Sequence, residues 1–163
     1  MKPEWPPLDK AVEEILDEAR LHAGQGFTGA VGVEQILLAL LSREPLRVAL
    51  GLSQTDARLA RDALLEHLGR TLLDRLLDIY AKRLQEKAIR LRYVTGVVTW
   101  LMERAGWREL PNPLHTLKLH GETHVADRLM ELLLAKTIVP GQEVEVRVDG
   151  VGDSAGLVFS VGD

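Results

Sequence analysis

The chain has 163 residues, a formal net charge of −4, no cysteine and a hydrophobic fraction of 46%. Neither half carries the basic excess of a nucleic-acid-binding protein, and the lack of cysteine excludes disulfides, thiolate catalysis and cysteine-ligated zinc. No apolar run approaches the roughly 18 residues of a membrane span, and residues 1–7 lack the apolar core of a signal peptide. The composition therefore predicts a globular cytoplasmic protein without a nucleic-acid or membrane partner.

The first predicted helix follows a proline-bearing arm and carries apolar residues at helical spacing from Ala11 to Ala19. After it, residues 24–29 match the pattern G-x-G-x-x-G. A dinucleotide-binding fingerprint needs a strand before these glycines, so that the pyrophosphate meets the start of a helix. Because a helix precedes them here, we interpret residues 24–29 as a loop and predict no cofactor.

The stretch Val31–Leu41 predicts a helix whose apolar residues surround most of its circumference. Such a helix is expected at the centre of a helical cluster. Pro45 predicts a short third helix, and Ser53 with Asp56 forms a capping pattern for a fourth that ends at Gly69. The residues expected to point inward from that fourth helix are Leu59, Ala60, Ala63, Leu64 and Leu68. We therefore predict a four-helix domain over residues 1–69.

The remainder, residues 70–163, predicts a small α+β domain with a three-stranded sheet. Thr71 is expected to cap a helix whose inner stripe is Leu73, Leu76, Leu77, Tyr80 and Leu84. Alternation from Ile89 to Tyr93 indicates a strand, and Thr95 is expected to cap the next helix. A further helix begins at Pro113, with a break expected at Gly121, and two strands end the chain. The fold class is thus mainly α with α+β.

Both domains resemble parts of the Clp unfoldase family, the ClpA, ClpB and ClpC group. The front resembles one of its N-terminal helical repeats, through Ala19–Ala23, Val31–Leu41 and Leu50-Gly51-Leu52. The back resembles the small domain that closes the second ATPase ring. Its marks are Arg83-Leu84, the Ile89–Thr95 strand, Gly106-Trp107, Pro113-Leu114, Pro140-Gly141 and Gly156–Phe159. The resemblance implies that the ATPase core between these two ends is absent, as is the second copy of the repeat.

The departures from the family argue against catalysis. In the family, a Gly-Ala-Arg triplet whose arginine senses nucleotide phosphates precedes the Pro-Leu pair, whereas this chain has Leu110-Pro111-Asn112. A neutral asparagine cannot supply the charged fork that a phosphate requires. The sequence also contains no G-x-x-x-x-G-K-[ST] loop. We expect no ATPase activity, no catalytic residues and no cofactor.

Two clusters leave alternatives open. His115, His120 and His124 lie close together, and the last two have the i, i+4 spacing of zinc-binding pairs. An exposed helix surface is the favoured interpretation, and no metal site is predicted. The basic residues Lys82, Arg83, Lys87, Arg90 and Arg92 are interpreted as a solvated surface, with an acidic protein partner as the alternative.

The resemblance implies a non-catalytic regulator or adaptor that binds Clp-type unfoldase subunits or their substrates. The alternative is a free-standing peptide-binding module without a tie to Clp. A single repeat leaves an apolar face exposed, which either a homodimer or the back half of the chain covers. The expected protein-binding edge, where the loop meets the central helix, is Phe27, Val31, Glu34 and Gln35.

Overall fold

The computed structural model describes residues 10–24 and 31–162. By its contacts the chain forms two compact units, Met1–Leu68 and Gly69–Asp163, which we call the front unit and the back unit. The helices are α1 (Lys10–Gly24), α2 (Val33–Leu41), α3 (Glu44–Ala49), α4 (Gln54–Gln85), α5 (Val97–Arg104), α6 (Pro113–Gly121) and α7 (Asp127–Leu134). The strands are β1 (Arg90–Tyr93), β2 (Glu143–Asp149) and β3 (Gly156–Gly162). A mainly helical chain with a small mixed sheet confirms the α+β class, whereas the family identities of the two units stay predictions.

In the front unit, α1 packs against α2. Ile15, Ala19 and Ala39 form a buried cluster with Val31, Ile36 and Leu40 packed against it. The guanidinium of Arg43, just after α2, contacts α1 through Glu14 Oε2 at 2.8 Å and Glu18 Oε2 at 3.3 Å. These contacts bury only one face of α2.

The prediction that α2 is surrounded on most sides is wrong. Leu38 and Ala39 are buried, but the side chain of Val33 is 69% exposed and that of Leu37 is 42% exposed. The apolar residues on all sides of α2 therefore do not show which face of this helix is covered by other parts of the chain. The outer face is apolar and open.

Helix α4 is continuous through the positions at which the sequence predicts an end and a new start. Gly69 is predicted as a C-cap and Thr71 as an N-cap, but both lie inside the helix. A Cβ on Gly69 would lie 2.7 Å from Cη2 of Trp107 and 2.9 Å from Cδ2 of Leu117. Gly69 thus allows a close approach of side chains to the α4 backbone, rather than ending the helix.

The start of α4 is as predicted, but its inward face is not. The Asp56 backbone N–H donates to Ser53 Oγ at 3.1 Å, which confirms the capping pattern. Leu59 is 63% exposed, and Ala60 and Ala63 are also exposed, so their predicted burial is wrong. In the part of α4 that belongs to the front unit, the buried positions are Ala57 and Leu65, while the predicted Leu64 and Leu68 are half-buried.

The sheet of the back unit has the order β1-β2-β3. Strand β1 is parallel to β2, with Leu91 opposite Val144 and Tyr93 opposite Val146. Strand β3 is antiparallel to β2. Val144 and Val146 are fully buried, as the alternation in the sequence predicts.

The predicted break at Gly121 is confirmed in part. The α-helix α6 ends at Gly121, but the chain passes through a π-helical turn, Glu122–Ala126, into α7 without leaving helical backbone angles. A Cβ on Gly121 would lie 2.8 Å from Leu76 Cδ2 and 3.0 Å from Leu73 Cδ2. Gly121, like Gly69, therefore allows close packing of side chains against the helix backbone.

The cap of α5 also differs from the prediction. Its N-cap is Gly96 rather than Thr95, with a φ of 105° that favours glycine. Among the residues that the structure describes, no helix is long and apolar enough to cross a membrane.

Candidate functional site

The outer face of α2 carries a line of apolar side chains, Val33, Leu37 and Leu41, which we call the α2 stripe. Residues four apart stack along one side of a helix, and these three lie away from the buried Leu38 and Ala39. Val33 and Leu37 are exposed and Leu41 is half-buried. The stripe is about 12 Å long, since eight residues rise about 1.5 Å each.

At the C-terminal end of the stripe lies a surface groove of about 340 Å³, which we call the arginine groove. Its walls are Leu41 and Ser42 from the end of α2, Arg47 from α3, and Gln54, Ala57, Arg58 and Arg61 from α4. The α4 residues recur at spacings of three and four, which places them on one side of that helix. Because Leu41 belongs to both features, the stripe runs into the groove.

Among the described residues, the arginine groove is lined by three arginine side chains and by no acidic one. Arg61 lies 3.8 Å from Asp62 Oδ1. Arg47 Nε is buried without a hydrogen-bond partner within the described part of the chain. A buried donor without a partner is rare and costly, so Arg47 Nε is an unsatisfied group in the wall of the groove.

The structure gives the predicted binding-edge residues local roles near the start of α2. Val31 packs against the buried cluster of α1 and α2. Gln35 Oε1 accepts a hydrogen bond from the Gly32 backbone N–H at 2.9 Å, and so caps α2. Glu34 is half-buried, and Phe27 lies outside the described residues. None of the three described residues lines the arginine groove.

The histidine pair of the back unit packs around a tryptophan. The rings of His120 and His124 have centroids 4.2 Å apart, and Trp100 lies 6.2 Å from His120 and 5.4 Å from His124. Trp100 Nε1 donates to the Ala155 carbonyl at 3.1 Å. Burial, and secondarily the neighbouring His124, lower the pKa of His120, while His115 is exposed outside this cluster. Within the described ranges, no three histidine or carboxylate side chains converge on a metal position.

The basic patch around β1 is partly neutralised by the neighbouring strand. Arg90 Nε lies 3.7 Å from Glu143 Oε2, and Arg92 pairs with both Glu143 and Glu145. These pairs join β1 to β2 across their parallel register. Two of the five basic residues are thus engaged within the sheet, which weakens the case for an acidic partner at this surface.

A second groove, of about 450 Å³, lies between α4 and the start of α5 in the back unit. It is lined by both signs of charge, Arg70 with Asp74 and Asp78, beside Tyr93. Burial raises the pKa of Tyr93, whose hydroxyl has no hydrogen-bond partner among the described residues. Its phenol therefore stays protonated at neutral pH and offers no nucleophile.

Asn112, which the expected resemblance to Clp proteins aligns with the phosphate-sensing arginine, lies directly before the first residue of α6. It precedes Pro113, which supplies the first turn of that helix as predicted. The chain matches no protein-family model and no curated protein. Its likeness to Clp proteins therefore rests on the residue patterns given above.

Proposed function

We propose that this protein is a non-catalytic interaction protein whose front unit docks a segment of a partner on the α2 stripe. The open apolar face of α2 is the observation that carries this proposal. Burying apolar surface contributes about 25 cal/mol per Å², so covering Val33 and Leu37 favours association. Contiguous exposed apolar surface on a folded protein commonly marks an interaction site.

The partner we propose is a Clp-type AAA+ unfoldase subunit, with this chain as its regulator or adaptor. The support is the resemblance of the two units to opposite ends of Clp proteins. In that family the N-terminal domain receives substrates and adaptors, and the small domain helps neighbouring subunits associate. A chain that has both ends but lacks the phosphate-binding loop and the sensor arginine would act on a working hexamer without hydrolysing nucleotide itself.

Capture of purified Clp unfoldase by the immobilised full chain tests this proposal. We expect capture by the wild-type chain, and loss of capture with Val33→Asp and Leu37→Asp, because a carboxylate in the stripe must be desolvated on docking. The matched control is Leu134→Asp, which changes a 77% exposed leucine at the end of α7. The control should retain capture.

The alternative functions give different results in the same experiment. A free-standing peptide-binding module would not capture any Clp unfoldase, so the absence of capture by the wild-type chain would overturn the Clp assignment. Equal capture by the wild-type chain and both stripe variants would show that docking uses another surface.

A second copy of the chain is a competing occupant of the stripe. Light scattering separates the two cases, since the monomer has a mass of 18.1 kDa. A monomer over micromolar concentrations supports a stripe that is open to a partner. A dimer that Leu37→Asp converts to a monomer would overturn the proposal in favour of a two-fold homodimer.

A further inference from the structure

We propose that the arginine groove binds the carboxylate of an acidic residue in the partner segment that the α2 stripe docks. This inference rests on the proposed function and adds the chemistry of the segment: apolar residues followed by an acidic one. The partner would be anchored at both ends of a single continuous surface, with its apolar part on Val33 and Leu37.

The geometry supports an anionic ligand. Arg47, Arg58 and Arg61 line one groove, and no acidic side chain of the described residues lines it with them. Arg61 contacts Asp62 beside the groove, so the cationic character of the groove depends mainly on Arg47 and Arg58. A guanidinium presents N–H donors in a planar fork that matches a carboxylate in two-point contact.

The length of the surface sets the length of the segment. An extended peptide advances about 3.3 Å per residue, so about four residues cover the roughly 12 Å of the α2 stripe. The next one or two residues then reach the groove through Leu41. A hexapeptide with apolar residues at one end and acidic residues at the other is therefore long enough to occupy both features.

A protein segment fits this surface better than an anionic membrane does. The arginines line a concave groove, whereas a lipid surface requires a broad cationic face. The exposed side of α1 in the same unit carries Glu13, Glu14 and Asp17, which an anionic bilayer would repel. The net charge of −4 also opposes binding to an anionic bilayer.

Fluorescence anisotropy with synthetic peptides tests the proposal. The probe is a labelled, amidated hexapeptide of alternating leucine and alanine ending in two glutamates, and its counterpart ends in two glutamines; each is made in both chain directions. We expect the glutamate peptide to bind about tenfold more tightly at low salt, and its advantage to shrink at high salt. Arg58→Gln changes an exposed side chain and should remove most of that advantage; Arg47→Gln should do the same.

The matched control is Arg75→Gln, an exposed arginine of the same helix α4 that does not line the groove. It should leave the affinity of both peptides unchanged. Circular dichroism of each variant establishes that α4 is intact, so that lost binding reports the groove.

Three results would overturn the proposal. Equal affinity for the two peptides, with both weakened by Leu37→Asp, would leave the stripe as a docking site but remove the carboxylate anchor. No binding of either peptide would also reject the anchor, while loss of Clp capture by Leu37→Asp would still support the proposed function. Binding to vesicles of equal parts phosphatidylglycerol and phosphatidylcholine that Arg58→Gln abolishes, without preference for the glutamate peptide, would assign the groove to lipid.

Discussion

The front and back units differ in the residues that they bury. Among the described residues of the front unit, the buried hydrophobic side chains are Ile15, Leu38 and Leu65 with four alanines, Ala19, Ala23, Ala39 and Ala57. The back unit buries Trp107 and a series of leucines along α4, α5 and α6. Each buried methylene contributes about 0.8 kcal/mol, so alanines give a core little stabilisation. Among the described residues, seven large hydrophobic side chains are exposed in each unit, but in the front unit they outnumber the three large ones that are buried.

The largest expected effect is the loss of Trp107, whose ring is 1% exposed and whose Nε1 donates to the Met102 carbonyl at 3.0 Å. Trp107→Ala should lower the free energy of unfolding by about 3–5 kcal/mol, measured by urea unfolding. Leu65→Ala in the front unit should cost less, and Val151→Ala, at an 88% exposed position, should change little. A larger loss from Leu65→Ala than from Trp107→Ala would contradict the comparison.

A smaller effect is expected at Gly69, where α4 meets Trp107 and Leu117. Gly69→Ala gains about 1 kcal/mol of helix propensity but pushes a Cβ against both side chains, which costs about 1–3 kcal/mol. We therefore expect a net destabilisation of about 1 kcal/mol in thermal or urea unfolding. Gly156→Ala is the control, because a Cβ there meets no atom within 4 Å. A stabilised Gly69→Ala would mean that the close packing on α4 is absent.

The cap of α2 should give a smaller effect still. Gln35→Ala removes the hydrogen bond from the Gly32 N–H and should cost about 0.5–1 kcal/mol. Partner capture should be unchanged, since Gln35 belongs neither to the α2 stripe nor to the arginine groove. The control is Gln85→Ala at the exposed end of α4, with no loss of stability expected. If Gln35→Ala lost capture of the Clp unfoldase without losing stability, Gln35 would belong to the binding edge as predicted from the sequence.

The last prediction concerns His22, which is 9% exposed in α1. Burial lowers its pKa from 6.5, Glu18 opposes this effect, and Arg61 adds to it. As the pH falls below about 6.5, the unfolded chain takes up this proton first, so stability is complete above that pH and declines below it. NMR titration should give a pKa below 6.5, and His22→Gln should show a smaller decline in urea midpoint from about pH 7.5 to about pH 5.5. A pKa above 6.5 would show that Glu18 dominates.

The spacing of apolar residues was sufficient to predict most helices and strands, because this spacing depends only on residues that are close together in the sequence. The buried leucines Leu73, Leu76, Leu77 and Leu84 of the second half of α4, the alternation in β2, the Ser53 cap and Pro113 at the start of α6 are all confirmed. The errors concern burial and the ends of helices. The outer face of α2 and the predicted inward residues Leu59, Ala60 and Ala63 are exposed. Gly69 has the residue type of a helix end, but its role depends on Trp107 and Leu117, which approach from elsewhere in the chain.

The candidate site was harder to predict than the fold. Val33 and Leu37 were expected to be buried because their side chains are apolar. A sequence does not show which face of a helix lacks a neighbouring element, so their exposure could not be predicted. The arginine groove combines α3 with one side of α4, and no sequence pattern singled out its residues. Val31 packs against the α1–α2 cluster and Gln35 caps α2, while the predicted binding edge stays a prediction.

Hydrogen–deuterium exchange of the full chain, with and without purified Clp unfoldase, tests the central claim most directly. Amides in segments that a partner covers exchange more slowly, and the stripe and the groove lie in separate peptides from the back unit. Our account predicts slower exchange over residues 33–41 and 54–61, absent in Leu37→Asp, with no change over residues 97–134. Protection confined to the back unit, or the same protection in Leu37→Asp, would contradict it.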